Sequence, residues 1–354
     1  MSILRPRKNL NILICGYYGE GNLGDDAILR ALLDTLPREF LPIVTSYNQW
    51  YIQNYFKVKT VARRSITKVV KSMLKSDILL LGGGSLLQDS TSLRSLLYYG
   101  TIITVARIQG KTIILWAQGL GPLERSSSHF FARQLLHAVT GISWRDAKSK
   151  KMSENWKIQT TLGDDPVWGY PQQCWAGIDG PIVVCWKPTH LLNLAKWSSL
   201  LLELDILSYK CEKPVWWIPF HKTEDLGLLA DLQFYKLIPQ RLAKISFEYC
   251  VNTPAEALSI FRQASIVLSM RLHALILASL AGAPCEALSC DPKINIAAEY
   301  MKIHCIDMKS DSPFNNAASR WKVTLGEGVL STQSHFLPNN LSIHTSLLDY
   351  FKLE

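Results

Sequence analysis

The feature that most constrains the fold is the alternation of short apolar runs with longer stretches of helical periodicity. In the first half of the chain, apolar runs of strand length occur at residues 11–15, 43–45, 78–81, 112–116, 141–144 and 160–162. Apolar residues recur at helical spacing over 27–36, 67–75, 95–109 and 129–140. Because this alternation is typical of βα units wound around a parallel sheet, we predict an α/β domain over residues 1–168.

A second series of βα units follows a linker at residues 167–181, which is rich in glycine and proline. Strands are predicted at 182–185, 215–218, 245–249, 266–268 and 285–288, and the capping box Thr253-Pro254-Ala255-Glu256 opens a helix. We therefore predict two Rossmann-like domains, the second over residues 181–308, which suits a chain of 354 residues. The tail, 309–354, ends in an amphipathic stretch at 343–351 that we expect to pack back onto the body.

The amino-acid composition excludes some classes of protein but does not identify a binding partner. Charged residues make up 19% of the chain and hydrophobic residues 48%, which excludes a disordered protein. The net charge of +9 leaves nucleic acid, an anionic membrane surface and a small anionic substrate open. No apolar window approaches the roughly 18 residues of a spanning helix, and the run at 10–15 is short for a signal peptide. We expect a cytoplasmic protein that is at most peripheral to a membrane.

The first βα junction contains a formal dinucleotide fingerprint, GxGxxG, at Gly19, Gly21 and Gly24. Two features argue against a dinucleotide site: three residues separate the predicted strand from the fingerprint, and residues 45–47 offer no acidic group for a ribose. Two interpretations remain open. Asn22 and Asp25 hydrogen-bond sugar hydroxyls, or the segment is a glycine turn in which Asp25 caps the next helix.

Two further glycine segments follow apolar runs, at residues 82–84 and 118–121. Open parallel sheets bind ligands at the carboxyl ends of their strands, and three consecutive glycines allow close approach to a ligand. We predict that these segments line a ligand cleft, through Gly83, Gly84, Gln88 and Gln118. The alternative is that they are plain turns.

Several cationic residues also follow predicted strands. Arg145 follows the run at 141–144, Lys293 follows the run at 285–288, and Arg271 and His273 lie where a strand meets an apolar helix. The guanidinium fork suits a carboxylate or phosphate, and a histidine can transfer protons near neutral pH. The competing interpretations are a surface pair of Arg145 with Asp146, and a core role for His273.

Two other charged groups are predicted to face solvent. His221 and Asp225 follow a strand and are expected in a solvated loop, with the alternative that they face the ligand cleft. A basic helical face is also predicted, and it either faces water or is attracted to anionic lipid. Its members are Arg63, Arg64, Lys68, Lys71 and Lys75.

Taken together and in order, these motifs resemble the polysaccharide pyruvyl transferase family, and most closely its CsaB type. The resemblance extends from about residue 10 to about residue 300 and leaves the tail outside. Seven blocks carry it: GYYGEGNLGDDAIL (16–29), LGGGSLLQD (81–89), AQGLGP (117–122), WRD (144–146), IPFHKTED (218–225), MRLHALI (270–276) and DPK (291–293).

The resemblance implies two Rossmann-like domains in a glycosyltransferase-B-like arrangement and a transfer of pyruvyl from phosphoenolpyruvate to a sugar, with release of phosphate. It implies that Arg145, Arg271 and Lys293 bind the donor and that His273 is the acid/base residue. The first glycine loop, with Gly19, Asn22 and Asp25, resembles the acceptor side. No metal or organic cofactor is expected. The acceptor is expected to be a cell-envelope saccharide, carried on a lipid.

The sequence departs from the family pattern at two places. Asp25-Asp26 stands where an Asp-Glu pair is usual, and Lys187 stands where an arginine is expected after the first strand of the second domain. Lysine keeps the charge but lacks the bidentate fork. Two other functions stay open: a nucleotide-sugar glycosyltransferase of the same fold and, more remotely, a nucleic-acid-binding protein, although no nucleic-acid motif is present.

Overall fold

The computed structural model describes residues 9–90, 93–330 and 340–350. The chain divides into two compact units, each built around its own parallel sheet. The first unit comprises Met1–Gly169 together with Pro338–Glu354, and the second comprises Tyr170–Leu337. The predicted fold class, α/β with two Rossmann-like parallel sheets, is confirmed.

The sheet of the first unit has seven parallel strands in the order β3-β2-β1-β4-β5-β6-β7. The order reverses between β1 and β4, and such a reversal is where open α/β sheets form ligand sites. The strands are β1 (Leu10–Tyr18), β2 (Phe40–Ser46), β3 (Lys59–Ala62), β4 (Ile78–Leu87), β5 (Thr112–Leu120), β6 (Gly141–Trp144) and β7 (Thr161–Leu162).

Helices connect these strands, and the central strands are apolar on both faces because helices cover both. Side chains of α3, α4 and α5 join the inner strands in one core that includes Met73, Ile103 and Leu135. The helices are α1 (Leu23–Thr35), α2 (Gln49–Phe56), α3 (Ile66–Leu74), α4 (Leu93–Ile108), α5 (Ser126–His137) and α6 (Ala147–Asn155).

The glycines at 82–84 lie inside β4, and Gly119 lies inside β5, where turns had been the alternative prediction. β1, β4 and β5 each continue for several residues beyond the predicted apolar run, and the pairing register shifts within these extensions. Gly83 and Gly84 have φ of 52° and 84°, and Ala117 in β5 has φ of 49°. Backbone with positive φ can form a bulge without ending the ladder, so each strand reaches the edge of the sheet with an irregular segment.

The second unit has six parallel strands in the order β10-β9-β8-β11-β12-β13. The Thr253 hydroxyl accepts a hydrogen bond from the Glu256 N–H as predicted, but the Glu256 carboxylate accepts the N–H of Asn252 instead of that of Thr253, so only half of the capping box forms. The strands are β8 (Ile182–Cys185), β9 (Val215–Trp217), β10 (Ser246–Glu248), β11 (Ile266–Ser269), β12 (Cys285–Ser289) and β13 (Cys305–Asp307). The helices are α7 (Leu194–Cys211), α8 (Lys222–Asp225), α9 (Leu228–Phe234), α10 (Gln240–Lys244), α11 (Pro254–Arg262), α12 (Leu272–Leu280), α13 (Pro292–Met301) and α14 (Ala317–Leu330).

In the described residues beyond 308, one helix belongs to each unit. Trp321 of α14 is fully buried in the core of the second unit, beside side chains of α7. The last helix, α15 (Ser342–Tyr350), belongs to the first unit and contacts β5 and β6. The predicted amphipathic stretch ended at Phe351, which lies outside the described residues, as do residues 331–339.

Close packing explains the glycine at position 83. A Cβ added there would lie 1.9 Å from Cγ2 of Ile28 on α1, at a backbone φ of 52°. We expect Gly83→Ala to lower the free energy of unfolding by about 3 kcal/mol, because steric overlap adds to backbone strain. Urea denaturation measures this loss.

Gly110→Ala is the matched control, since Gly110 also has positive φ, 67°, but open space around the Cβ position. It should cost only about 1–2 kcal/mol of backbone strain. The double variant Gly83→Ala/Ile28→Ala should lose less stability than the sum of the two single losses, because shortening the Ile28 side chain removes the overlap. Equal losses for the two single variants would contradict the packing explanation.

Candidate active site

The start of α1 brings predicted acceptor residues together at the carboxyl edge of the first sheet. The Oδ1 of Asn22 accepts a hydrogen bond from the Gly24 N–H at 3.0 Å, and its Nδ2 donates to Asp25 Oδ2 at 2.6 Å. Oδ1 of Asp25 would lie 3.4 Å from a Cβ at Gly84, so Asp25 is also close to β4. Asn22 is the N-cap of α1, and the interpretation of Asp25 as the cap is wrong.

The second acid of the loop, Asp26, is hydrogen-bonded to the backbone of Gly19. Asp26 is almost fully buried, and its Oδ1 accepts the N–H of Gly19 at 3.0 Å. Gly19 has φ of 69°, and a Cβ there would lie 2.6 Å from Oγ of Ser46. The loop conformation therefore depends on this carboxylate and on the absence of a side chain at Gly19.

Gln118 lies beneath the triple-glycine segment. Its side chain is fully buried, and Nε2 donates to the carbonyl oxygens of Gly83 at 2.9 Å and Leu81 at 3.3 Å. Its Oε1 is buried with no hydrogen-bond partner in the described part of the chain. Gln88, at the end of the same segment, is half-buried and accepts a hydrogen bond from Ser90 Oγ at 2.8 Å.

A cluster of charged and aromatic groups that was not predicted from the sequence lies beside this loop. Glu20, which is 8% exposed, forms ion pairs with both Arg63 and Arg64. The Arg63 guanidinium lies 4.6 Å from the centre of the Tyr17 ring, and that of Arg64 lies 3.9 Å from the centre of the Tyr47 ring. Both arginines precede α3, so their assignment to the basic helical face is wrong.

Burial and neighbouring groups have opposite effects on the pKa of Arg63. Burial alone would lower the pKa of its guanidinium, but the neighbouring Tyr99 and Glu20 raise this pKa above its usual value. Arg63 is therefore a permanent cation within the aromatic cluster. No signal in the sequence linked Glu20 to arginines more than forty residues later.

Arg145 is paired and nearly buried. Its Nη1 donates to Asp165 Oδ2 at 2.9 Å, and the two side chains are 9% and 10% exposed. Asp146 caps α6, where its Oδ1 accepts the Ser149 N–H at 2.8 Å. The predicted surface pair of Arg145 with Asp146 is therefore wrong, because the partner comes from the segment after β7.

In the second unit, Arg271 follows β11 and is held by two carboxylates. Its Nε donates to Asp225 Oδ2 at 3.1 Å, its Nη2 donates to Asp225 Oδ1, and Nη2 also reaches Glu224 Oε2 at 2.7 Å. Burial tends to raise the pKa of the Glu224 carboxyl, but Arg271 outweighs burial and holds this pKa below its usual value. The fork of Arg271 is thus fixed in one orientation.

Of the two acids that hold Arg271, Asp225 is buried at the end of the short helix α8. Asp225 is 2% exposed and His221 is 7% exposed, so the prediction of a solvated loop is wrong for both. Oδ2 of Asp225 accepts the N–H groups of Phe220 and His221 at 3.0 and 2.8 Å. These bonds close the turn around the carboxylate that Arg271 neutralises.

The other predicted cations of the second unit lie at the same edge of its sheet. His273 is half-buried in the first turn of α12, and Lys293 is exposed in the first turn of α13, where its N–H donates to Asp291. Burial raises the pKa of the Cys290 thiol, against a lowering by Lys187, which places Lys187 beside Cys290. Arg145 belongs to the first unit, whereas these residues and Arg271 belong to the second.

Neither unit offers a metal site in its described residues. Within residues 9–90, 93–330 and 340–350, no group of three or more His, Cys, Asp or Glu side chains could hold a metal ion. The same ranges contain no helix long and apolar enough to cross a membrane.

The two acids that hold Arg271 differ in burial and therefore in their expected contribution to stability. We expect Asp225→Asn to lower the free energy of unfolding by about 3–5 kcal/mol, because it leaves a nearly buried guanidinium without its main counter-charge. Glu224→Gln should cost less than about 1 kcal/mol, since that side chain is 55% exposed. Urea denaturation of both variants tests this order, and equal losses would contradict it.

Comparisons with known proteins identify the family of this chain and solved structures with a similar fold. The model of the polysaccharide pyruvyl transferase family matches residues 22–292, and no curated protein matches the chain. Among solved structures, the UDP-GlcNAc 2-epimerase from Methanocaldococcus jannaschii is similar at 11% identity, with a TM-score of 0.61 over 98% of this chain and 99% of that one.

Two other solved structures have a similar fold. The UDP-GlcNAc 2-epimerase from Neisseria meningitidis bound to UDP-GlcNAc has 10% identity and a TM-score of 0.60, over 97% of this chain and 99% of that one. The S. aureus MnaA-UDP co-structure has 10% identity and a TM-score of 0.64, over 95% and 94%. These likenesses establish the glycosyltransferase-B type of fold. Because the family model matches more than half of the chain, the chain belongs to the polysaccharide pyruvyl transferase family.

Proposed function

We propose that the protein transfers the pyruvyl group of phosphoenolpyruvate to two hydroxyls of a saccharide, forming a cyclic ketal and releasing phosphate. The observation that carries this proposal is the family match over residues 22–292, which includes the site edges of both sheets. The finer parts of the proposal are the CsaB subtype, the donor and a lipid-linked cell-envelope acceptor. They rest on the motifs and on the chemistry of the residues below.

The proposed reaction begins with proton transfer to the methylene carbon of the donor. His273 supplies this proton, since an imidazole can both donate and accept a proton near neutral pH. The cationic carbon is then attacked by a first sugar hydroxyl, which loses its proton. The C–O bond to phosphate breaks, and a second hydroxyl attacks the same carbon and loses its proton. One hydroxyl proton restores His273 and the other leaves with phosphate.

The donor is a small polyanion and requires fixed cations. Arg145, Arg271 and Lys293 are proposed to bind its phosphate and carboxylate, and Lys187 is a fourth candidate. Arg271 is held by Asp225 and Glu224 through Nε and Nη2, so Nη1 is the nitrogen that we assign to the donor. A guanidinium that is oriented before binding does not have to reorganise during the reaction, which favours catalysis.

The acceptor is proposed to lie along the glycine segments of the first sheet. Asn22 and Asp25 are the polar side chains at this edge, next to Gly84, and they are suited to sugar hydroxyls. Gly19, Gly83, Gln88 and Gln118 complete the proposed acceptor region. Gln118 acts there through the backbone of Gly83, to which it is hydrogen-bonded.

A lipid-linked acceptor would bring the enzyme to the inner face of the membrane, and the charge distribution supports peripheral contact there. Residues 40–123 contain ten lysines and arginines but only two acids. Lys68, Lys71 and Lys75 are exposed on α3 or at its end, and Leu74 beside them is 59% exposed. A basic helix with an exposed apolar side chain suits an anionic bilayer surface.

The donor assay tests the activity. With phosphoenolpyruvate and saccharide acceptors, wild type should release phosphate, and His273→Ala should lower kcat by about 100-fold or more, the usual contribution of a general acid. His190→Ala is the control, because His190 is exposed on the same unit and should leave kcat unchanged. Turnover of a UDP-sugar without phosphate release from phosphoenolpyruvate would instead identify a glycosyltransferase.

Vesicle binding tests the membrane contact. Replacing Lys68, Lys71 and Lys75 with glutamine should weaken co-sedimentation with phosphatidylglycerol vesicles on the order of 100-fold, because each basic residue contributes about 1 kcal/mol at such a surface. Lys210, Lys236 and Lys244 are exposed lysines of the second unit, and replacing these three changes the net charge equally. If both triple variants lose binding to the same extent, or wild type does not bind, the proposed surface is wrong.

A further inference from the structure

The last helix buries a histidine beneath the edge of the first sheet. His344 of α15 is 1% exposed, and both ring nitrogens are hydrogen-bonded. Nδ1 lies 2.9 Å from Oγ of Ser143 in β6, and Nε2 lies 2.8 Å from the carbonyl oxygen of Asp164. The ring therefore connects a strand to the segment that follows β7, although His344 is far from both in sequence.

The chemistry of the partners determines the tautomer. A carbonyl oxygen can only accept, so Nε2 carries the proton and donates to Asp164. Nδ1 then accepts from the hydroxyl of Ser143, whose oxygen in turn accepts the N–H of Ala117 at 2.9 Å. Burial lowers the pKa of His344, which agrees with the neutral ring that this pattern requires.

Both partners of His344 are next to the groups that hold Arg145. Ser143 lies two residues before Arg145 on the same chain segment, and Asp164 directly precedes Asp165, which binds Arg145 Nη1 at 2.9 Å. The Asp164 side chain is also held from the last segment, since its Oδ2 accepts the N–H of Asn340 at 3.0 Å. One imidazole thus links the strand that carries Arg145 to the segment that carries its counter-ion.

We propose that His344 is a positioning residue for Arg145, and that α15 thereby sets the orientation of a donor-binding guanidinium. His344 acts by donating to the Asp164 carbonyl, which fixes the peptide before Asp165. The role in donor binding rests on the proposed function, whereas the effect on the geometry of Arg145 does not.

The kinetic test uses variants that separate the two hydrogen bonds of the ring. His344→Ala should raise the KM for phosphoenolpyruvate about tenfold with kcat within about twofold, because a displaced cation weakens donor binding. His344→Gln retains a donor near the Nε2 position and should restore most of the KM, whereas His344→Asn retains only the group near Nδ1 and should not. An equal KM for the Gln and Asn variants would overturn the assignment to the Asp164 bond.

Leu348→Ala is the matched control for loss of helix packing. Leu348 is fully buried one turn further along α15, so this variant should lower the melting temperature as His344→Ala does. It should leave the KM for phosphoenolpyruvate unchanged. A KM that rises equally in Leu348→Ala would show that His344 acts only by holding the helix in place.

A crystal structure of His344→Ala separates this proposal from the proposed function. We expect the Arg145 Nη1 to Asp165 Oδ2 distance to exceed hydrogen-bonding range, and the pair to re-form in His344→Gln. An intact pair in His344→Ala would overturn the proposal whatever reaction the enzyme catalyses. A broken pair in an enzyme that does not use phosphoenolpyruvate would leave the positioning role standing and refute only the donor.

Discussion

The requirement that a nearly buried guanidinium has a carboxylate partner shapes the candidate site in both units. Arg145 follows a strand of the first sheet and is paired with Asp165, and Arg271 follows a strand of the second sheet and is paired with Asp225. An unpaired charge at such a position would cost several kcal/mol, so the chain must bring an acid to it. The segments that carry these acids, before the 3₁₀ turn at Pro166–Gly169 and in the short helix α8, are arranged around that contact.

This pairing also affects how the two arginines could bind an anion. Because the carboxylates hold the guanidinium groups in place before a ligand binds, less side-chain freedom is lost when an anion arrives. The acids also reduce the local positive charge, which leaves Lys187 and Lys293 as additional cations at the edge of the second sheet. The basic surplus of the chain lies elsewhere, mainly in residues 40–123. The net charge of +9 therefore reflects this basic stretch more than it reflects the candidate site.

The alternation of apolar runs and helical stretches was sufficient to predict two parallel sheets, because parallel strands covered on both faces must be apolar throughout. The same pattern did not predict β3 and β13, because both are edge strands with partly exposed side chains. It also did not predict α14, because the sequence around this helix is rich in serine and asparagine. It also ended β4 at its first glycine. The strand continues because Gly83 and Gly84 adopt positive φ, a backbone property that residue hydrophobicity does not encode.

The sequence by itself determined where the chemistry-bearing residues stand along the chain: Arg145, Arg271 and Lys293 after predicted strands, His273 beside Arg271, and glycines at the carboxyl edge. Local pattern is enough for that, since strand ends are local features. Only the tertiary structure decided which groups these residues contact. Asp165 and Asp225 reach Arg145 and Arg271 from other segments, and a hydrogen bond such as that between His344 and Ser143, 201 positions apart, depends on how helices and strands pack. Long-range pairing of this kind leaves no periodic trace in the sequence of a single chain.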